Sequence, residues 1–416
     1  MGAYFASPWP AEDGGPARLQ TPHATPGLRL QGGERLACTT RSTQLSTMTV
    51  LGAPDEVFLL THSVLRSHIG LPTTARVERI DPVTLRTLEK SPPLPGGPMW
   101  PGGMAVHANG SLVSVYGRWA HRLDRHCQVL ARTELPLDLP YNSFVVLDNG
   151  LIVTKNLSDT VNARLTVLEP DALQRVGLDT ECQEPSIARL SSLGNTVYVV
   201  GVRTILRYHW NESRGRLEQD RDWSHDYIGT TTQTYGWDSV LDSDNAWFMD
   251  NGRHNYVLRM IGSGMNPTPN RLIRVSLQDA RDHAAWEVSG LQGGSVTNPP
   301  LVDVQRRIIV AYDSANRVLR AWRMQGDGDL EPLWDKAGFG VASHMVLYPD
   351  TGEFITNDYR RWGEEVVALQ IESGQELGRV RSGGITQGVV FPSVGWNRDL
   401  YWSSMGRLAR IFVAPA

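Results

Sequence analysis

Cysteine is scarce in this chain of 416 residues: Cys38, Cys127 and Cys182 are odd in number, far apart and in no CxxC spacing. That argues against a disulfide framework or a structural zinc site and fits a reducing compartment, with each thiol a small core residue. Charge of one sign is equally lacking. Forty Lys and Arg against 44 Asp and Glu leave a net charge of −4, which is no electrostatic footprint for nucleic acid or an anionic membrane. No run approaches the ~18 apolar residues of a membrane-crossing helix. Residues 1–25 have neither the basic start nor the apolar stretch of a secretion signal. The chain therefore reads as cytoplasmic, without nucleic-acid or membrane partners. It also lacks GxSxG, HExxH and a phosphate-cradling glycine loop, and the sequon Asn211-Glu212-Ser213 carries no meaning without secretion.

What is present is repetition. In Gly236–Gly252 an apolar strand runs into the polar turn Asp242–Asn245, a second strand Ala246–Met249 returns, and the chain breaks on Asp250-Asn251-Gly252. Two short strands around such a turn make a hairpin. Its second strand recurs as Val57–Ser63, Leu112–Gly117, Leu151–Asn156, Val197–Gly201, Ile308–Asp313, Glu353–Asp358 and Leu400–Ser404, eight copies in all. A third alternating run follows each copy, and a weaker fourth usually precedes the next. Units of roughly 40–60 residues with about four strands each are the signature of a β-propeller.

The fold class expected is thus all-β: an eight-bladed propeller of four-stranded antiparallel blades, with seven blades as the alternative. After Arg407–Val413 no room remains for a fourth strand, so Gly27–Leu36 is expected to close the last blade and remove two open sheet edges. Residues 26–416 then form one domain, with blade one starting at Ser46. Residues 1–25, rich in Pro, Gly and Ala, are expected to form a loose tail, with folding over one mouth of the ring as the alternative.

Tyr312–Trp322 (YDSANRVLRAW) resembles the strand pattern of NHL-repeat and gluconolactonase-like propellers, and Val366–Val380 (VVALQIESGQELGRV) resembles a PQQ-type strand-turn-strand. The resemblance is to the β-propeller superfamily and covers nearly all of the chain after the tail. It implies a fold, and a fold leaves function open. Quinoprotein dehydrogenases of this shape carry adjacent cysteines and a Gly-Lys-x-x-Trp docking turn. Here no cysteines are neighbours, and Gly374-Gln375-Glu376-Leu377 lacks both Lys and Trp, so PQQ is not expected. The one Trp-Asp pair, Trp334-Asp335, does not make a WD-repeat scaffold.

In a propeller, the loops entering the innermost strands and those leaving the second strands form one mouth of the channel. Asp250, Asp313 and Asp358 leave neighbouring second strands. With Glu184 and nearby amides they are candidates to hold calcium or magnesium, or to act as general acid or base; the alternative is turn capping by their own backbone. His344 enters an innermost strand and is a candidate for proton transfer, with hydrogen-bonded lining as the alternative; His62 and His254 sit in longer loops. Lys155, the lysine at a second-strand exit, is a candidate to meet an anionic group, with a solvated or salt-bridged lysine as the alternative. Tyr116, Tyr141, Trp237, Tyr312 and Tyr359, with Trp100, supply rings, with packing between blades as the alternative, and Asn142, Asn251, Asn298, Asn357 and Gln387 supply amides, with Asp238 beside Trp237 on the same mouth. The insertion after Gly252 is a candidate lid.

These residues point to a cytoplasmic enzyme acting on a small or medium organic molecule in the central channel, by acid/base or cation-assisted hydrolysis, isomerisation or elimination. The alternatives are a non-catalytic propeller scaffold for protein interaction and a quinoprotein-like oxidoreductase.

Overall fold

The computed structural model describes residues 2–23, 25–63, 66, 71–252, 261, 266–326, 328–360, 363–385 and 391–416. Among them the strands form six four-stranded antiparallel sheets and one of seven strands. The six are sequential meanders, and we number them by their span: sheet I (103–134), II (141–186), III (191–226), IV (240–287), V (301–337) and VI (346–381). The turns behave as the sequence implies: Gly150 of Asp148-Asn149-Gly150 adopts φ +86°, the left-handed position that such a turn requires.

Burial falls from the first strand of each sheet to the last, and that gradient explains the residue pattern. The second strands Val57–His62 and Ile308–Asp313 are buried along their whole length, because both of their faces are covered. The outermost strands Val129–Glu134 and His283–Glu287 alternate between exposed and half-buried positions. Each hydrophobic cluster is shared by neighbouring sheets. One joins II to III, one III to IV, and one IV, V and VI. Others join VI to the seven-stranded sheet, that sheet to I, and I to II. The cycle of neighbours closes on itself, and a closed cycle of radially stacked sheets buries what a single sheet would expose.

The seven-stranded sheet closes the cycle with the two ends of the chain. Its order is Phe391–Val394, Asp399–Pro415, Glu34–Leu51, Val57–His62, Thr74–Ile80 and Thr87–Lys90, with Leu94–Pro95 also on Thr74–Ile80. Glu34–Leu51 pairs with Asp399–Pro415 from Glu34↔Pro415 to Ser42↔Arg407, shifts register before Leu45, and then pairs with Val57–His62. The closing strand begins later than the expected Gly27–Leu36. The Glu353 carboxylate accepts from the backbone N–H groups of Arg29 and Leu30, and Arg398 donates to the carbonyls of Leu28 and Arg29, so this stretch is tied down outside the ladder.

The largest departure from expectation is the N-terminal segment, which is not loose. Trp9, Glu12, Asp13, Arg18 and Gln20 are buried, around a short 3-10 turn at Glu12–Gly14. The carbonyls of Trp9, Pro10, Pro16, Ala17 and Gln20 accept the N–H groups of Leu51, Val106, Ser192, Leu241 and Leu347 at 2.8–2.9 Å. These donors belong to five sheets, so the segment crosses the channel and satisfies the inward-facing edges of innermost strands. Pro and Gly preclude a regular element here, yet the carbonyls remain free to accept, and an unpaired buried N–H is costly. Composition reports the irregularity and is silent on the partners.

Candidate functional site

Three charged residues occupy the same register, each two positions before an innermost strand: Arg189 before Ser191–Leu193, Asp238 before Val240–Leu241, and His344 before Val346–Tyr348. Asn142 and Asn298 lie at the corresponding ends in sheets II and V, and all five are buried. The N-terminal segment brings Glu12, Asp13 and Arg18 against them. Arg18 spans both acids, with Nη2 2.9 Å from Glu12 Oε2 and Nη1 2.8 Å from Asp13 Oδ2. Arg189 pairs with the other oxygen of Glu12, and its Nη2 donates to the Pro101 carbonyl at 2.9 Å. The Arg189 backbone N–H donates to Asp238 Oδ1 at 2.6 Å.

His344 Nδ1 lies 2.8 Å from Asp13 Oδ1, an ion-pair distance without hydrogen-bond alignment, and the ring packs on Phe391 with centroids 4.2 Å apart. Among the described residues Asp13, Asp238 and His344 form the one group of His, Cys, Asp or Glu whose ligand atoms lie within 4.8 Å of one another. Asp238 Oδ2, both ring nitrogens of His344, Asn142 Oδ1 and Asn298 Oδ1 have no hydrogen-bond partner there. Burial opposes ionisation of Asp13, but the facing His344 and Arg18 hold its carboxyl below the usual range. Burial drives the Lys155 amine down to about 7; its Nζ donates to the carbonyls of Ser186 and Asn156 at 3.1 and 3.3 Å.

The three acids singled out in the sequence do not meet. Asp250 is held by Arg271, whose backbone N–H and Nε donate at 2.6 and 2.7 Å, and burial pushes its carboxyl up to about 6. Asp313 caps its own turn, accepting from Ser289 Oγ and from the N–H and side chain of Asn316. Asp358 accepts from Gly340 N–H, Arg360 and Arg379. Glu184 accepts the Arg203 N–H at 2.7 Å, and burial raises its carboxyl.

Several polar candidates serve their own loops. Asn251 bonds Thr234 N–H and the Thr268 carbonyl, and Asn357 bridges Ala342 N–H and Glu364. Asn142 donates to the Ile187 carbonyl and Asn298 to Thr297 Oγ1. Tyr116 stacks on His62 at 4.0 Å, and burial lowers that imidazole to about 3. The Tyr141 hydroxyl accepts the Leu137 N–H; Tyr312 reaches the Ser343 carbonyl and Tyr359 the Ile385 carbonyl. Trp237 packs with Leu157, Ile187, Trp100 and Tyr235. His254, Gln387 and most of the insertion after Gly252 lie outside the described residues.

Sequence reasoning placed His344, Asp238, Asn142 and Asn298 at one mouth but missed Glu12, Asp13, Arg18 and Arg189. The register shared by Arg189, Asp238 and His344 was a readable signal. The Glu12-Asp13 pair in an otherwise Pro/Gly-rich stretch was another.

A ring of radially stacked, four-stranded sheets around a polar centre is a β-propeller, and that is the fold of this chain. It is similar in structure to the quinohemoprotein alcohol dehydrogenase from Comamonas testosteroni, with TM-score 0.65 and 10% identity over 97% of this chain and 80% of that one. It is also similar to ADHIIG from Pseudomonas putida HK5 (TM-score 0.61, 9% identity, 98% and 80% covered). BamB from Moraxella catarrhalis gives TM-score 0.56 and 13% identity, with 91% and 99% covered. No family model and no curated protein matches the sequence. At these identities the likeness concerns the fold.

The residues present do not fit a quinone docked in the manner that the resemblance implies. The three thiols are free and far apart, with Cys38 in the seven-stranded sheet, Cys127 in sheet I and Cys182 in sheet II.

Proposed function

We propose that the chain is an enzyme that binds a small organic molecule at the centre of the ring, where the innermost strands begin, and acts on it by proton transfer or cation-assisted chemistry around Asp238 and His344. The observation that carries this reading is the set of polar atoms in a buried place that have no partner among the described residues: Asp238 Oδ2, His344 Nε2, Asn142 Oδ1 and Asn298 Oδ1. Each buried polar atom without a partner costs about 1–3 kcal/mol, and native interiors leave few of them. Several around one channel support an occupant that supplies the missing partners. The floor beneath them is the N-terminal segment, whose Glu12, Asp13 and Arg18 neutralise one another in part.

The test is native mass spectrometry of the full-length protein with extraction of retained small molecules. Wild type is expected to carry or capture an organic ligand, and Asp238→Asn or His344→Gln to reduce its retention by about tenfold or more, with unfolding temperature held. Equal retention by folded variants would count against the reading.

We also read the ring as eight blades, with the seven-stranded sheet as two of them. Phe391–Val394, both halves of Asp399–Pro415 and residues 34–42 would make one four-stranded unit. Residues 45–51, Val57–His62, Thr74–Ile80 and Thr87–Lys90 would make the next. The register shift between Ser42 and Leu45 supports a change of blade at that point.

A further inference from the structure

We propose that Asp13, Asp238 and His344 form a site for one divalent first-row transition-metal ion, which ties the N-terminal segment to the wall of the channel. Two ligands come from the entering ends of sheets IV and VI and the third from the segment that crosses between them. Their ligand atoms lie within 4.8 Å of one another, and all three side chains are buried.

Three features make this a built site rather than an accidental cluster. The first is the division of labour on each carboxylate. Arg18 holds Asp13 Oδ2 and the Arg189 N–H holds Asp238 Oδ1, while Asp238 Oδ2 has no partner among the described residues and Asp13 Oδ1 faces His344 Nδ1, itself one of the three ligands; such outer donors orient metal ligands. The second is His344. Its ring has no hydrogen-bond partner at either nitrogen among the described residues, yet Nδ1 sits 2.8 Å from a carboxylate oxygen. Given bonds of about 2.0–2.2 Å, two ligand atoms at right angles on one ion lie about 2.8–3.1 Å apart, and at the tetrahedral angle about 3.3–3.6 Å, so the pair suits a six-coordinate ion as it stands and parts by about half an ångström for a tetrahedral one. The third is charge. Glu12, Asp13 and Asp238 bring three negative charges against two on Arg18 and Arg189. That is an excess of one acid at the place where the ion would sit.

The ligand set selects the class of ion. One imidazole nitrogen with two carboxylates suits zinc or manganese, whereas calcium takes six or more oxygens and magnesium retains its waters. The inference draws on the same Asp238 and His344 as the small-molecule reading, and its test is separate because metal content is read with no organic molecule added.

The experiment uses the full-length chain, stripped with a chelator and titrated with Co²⁺, Zn²⁺ and Mn²⁺, and it reads metal content, the Co²⁺ ligand-field spectrum and calorimetric affinity without any assay of turnover. We expect one equivalent per chain and a rise in Tm of about 5 °C on loading, reversed by chelator. Asp238→Asn and His344→Gln should weaken binding by about 100-fold or more, whereas His126→Gln at the surface should leave it unchanged. Absence of stoichiometric binding to wild type overturns the proposal whether or not the variants fold. Undiminished affinity in folded Asp238→Asn and His344→Gln does so as well.

Discussion

Lys155 is an amine placed where water does not reach, with two carbonyls and no carboxylate as hydrogen-bond partners. Burial lowers its pKa to about 7, below its unfolded value, so the fold favours the neutral form. Below about pH 7 both states carry the proton, and the cost of enclosing the charge is fully present. As pH rises toward about 10, the native amine is neutral while the unfolded chain still binds a proton, so stability climbs through that window. Lys155→Met should therefore be more stable than wild type by about 1–3 kcal/mol near about pH 6. Its advantage should shrink at high pH. Urea melts at both ends of the window decide the matter, and a parallel pH dependence in variant and wild type would show that the amine is not the cause. The sequence marked Lys155 as placed for an anionic group; burial among carbonyls, invisible in a list of strand exits, gives it a different physical character.

At the scale of elements, strands and the N-terminal segment contrast in how much they disclose. Runs such as IIVAYD and VFLLTH declare buried strands by themselves, because all but their polar exit residues, Asp313 and Thr61-His62, suit a doubly covered sheet. Residues 2–23 have no period to read, since their partners are the edges of five sheets distant in sequence. For the same reason Asp13 and Glu12 could not be placed: the contact from Glu12 to Arg189 spans 177 positions. Yet the segment is as much core as any strand. Trp9, 1% exposed, packs with Leu28, Leu51 and Tyr348, so Trp9→Ala should cost about 3–5 kcal/mol. A truly loose tail would lose nothing from the same change, and equilibrium denaturation distinguishes the two.

At the scale of the molecule, what matters is closure. The eight repeated hairpins made the ring legible, because repetition at a fixed spacing leaves radial stacking as the way to bury both faces of each sheet. The residues at its centre were half legible. His344, Asp238, Asn142 and Asn298 follow from register, whereas Asp13, the acid that reaches His344 from the N-terminal segment, depends on a three-dimensional path with no sequence period. Closure itself rests on one long pair, Glu34–Ser42 against Arg407–Pro415. This pair covers the edges of the first and last units and buries Leu36, Leu408, Ala409 and Ile411. Deleting residues 407–416 removes the partner of Glu34–Ser42 and leaves two unpaired edges beside an opened core, so Tm should fall by more than about 10 °C and aggregation should follow. Deleting 414–416 alone, which leaves the buried residues and most of the ladder in place, should shift Tm by less than about 2 °C. Calorimetry on the two truncations separates a ring held shut by its ends from a stack of sheets that stand by themselves. In the second case the longer deletion would melt near wild type, because each sheet would need only its neighbours.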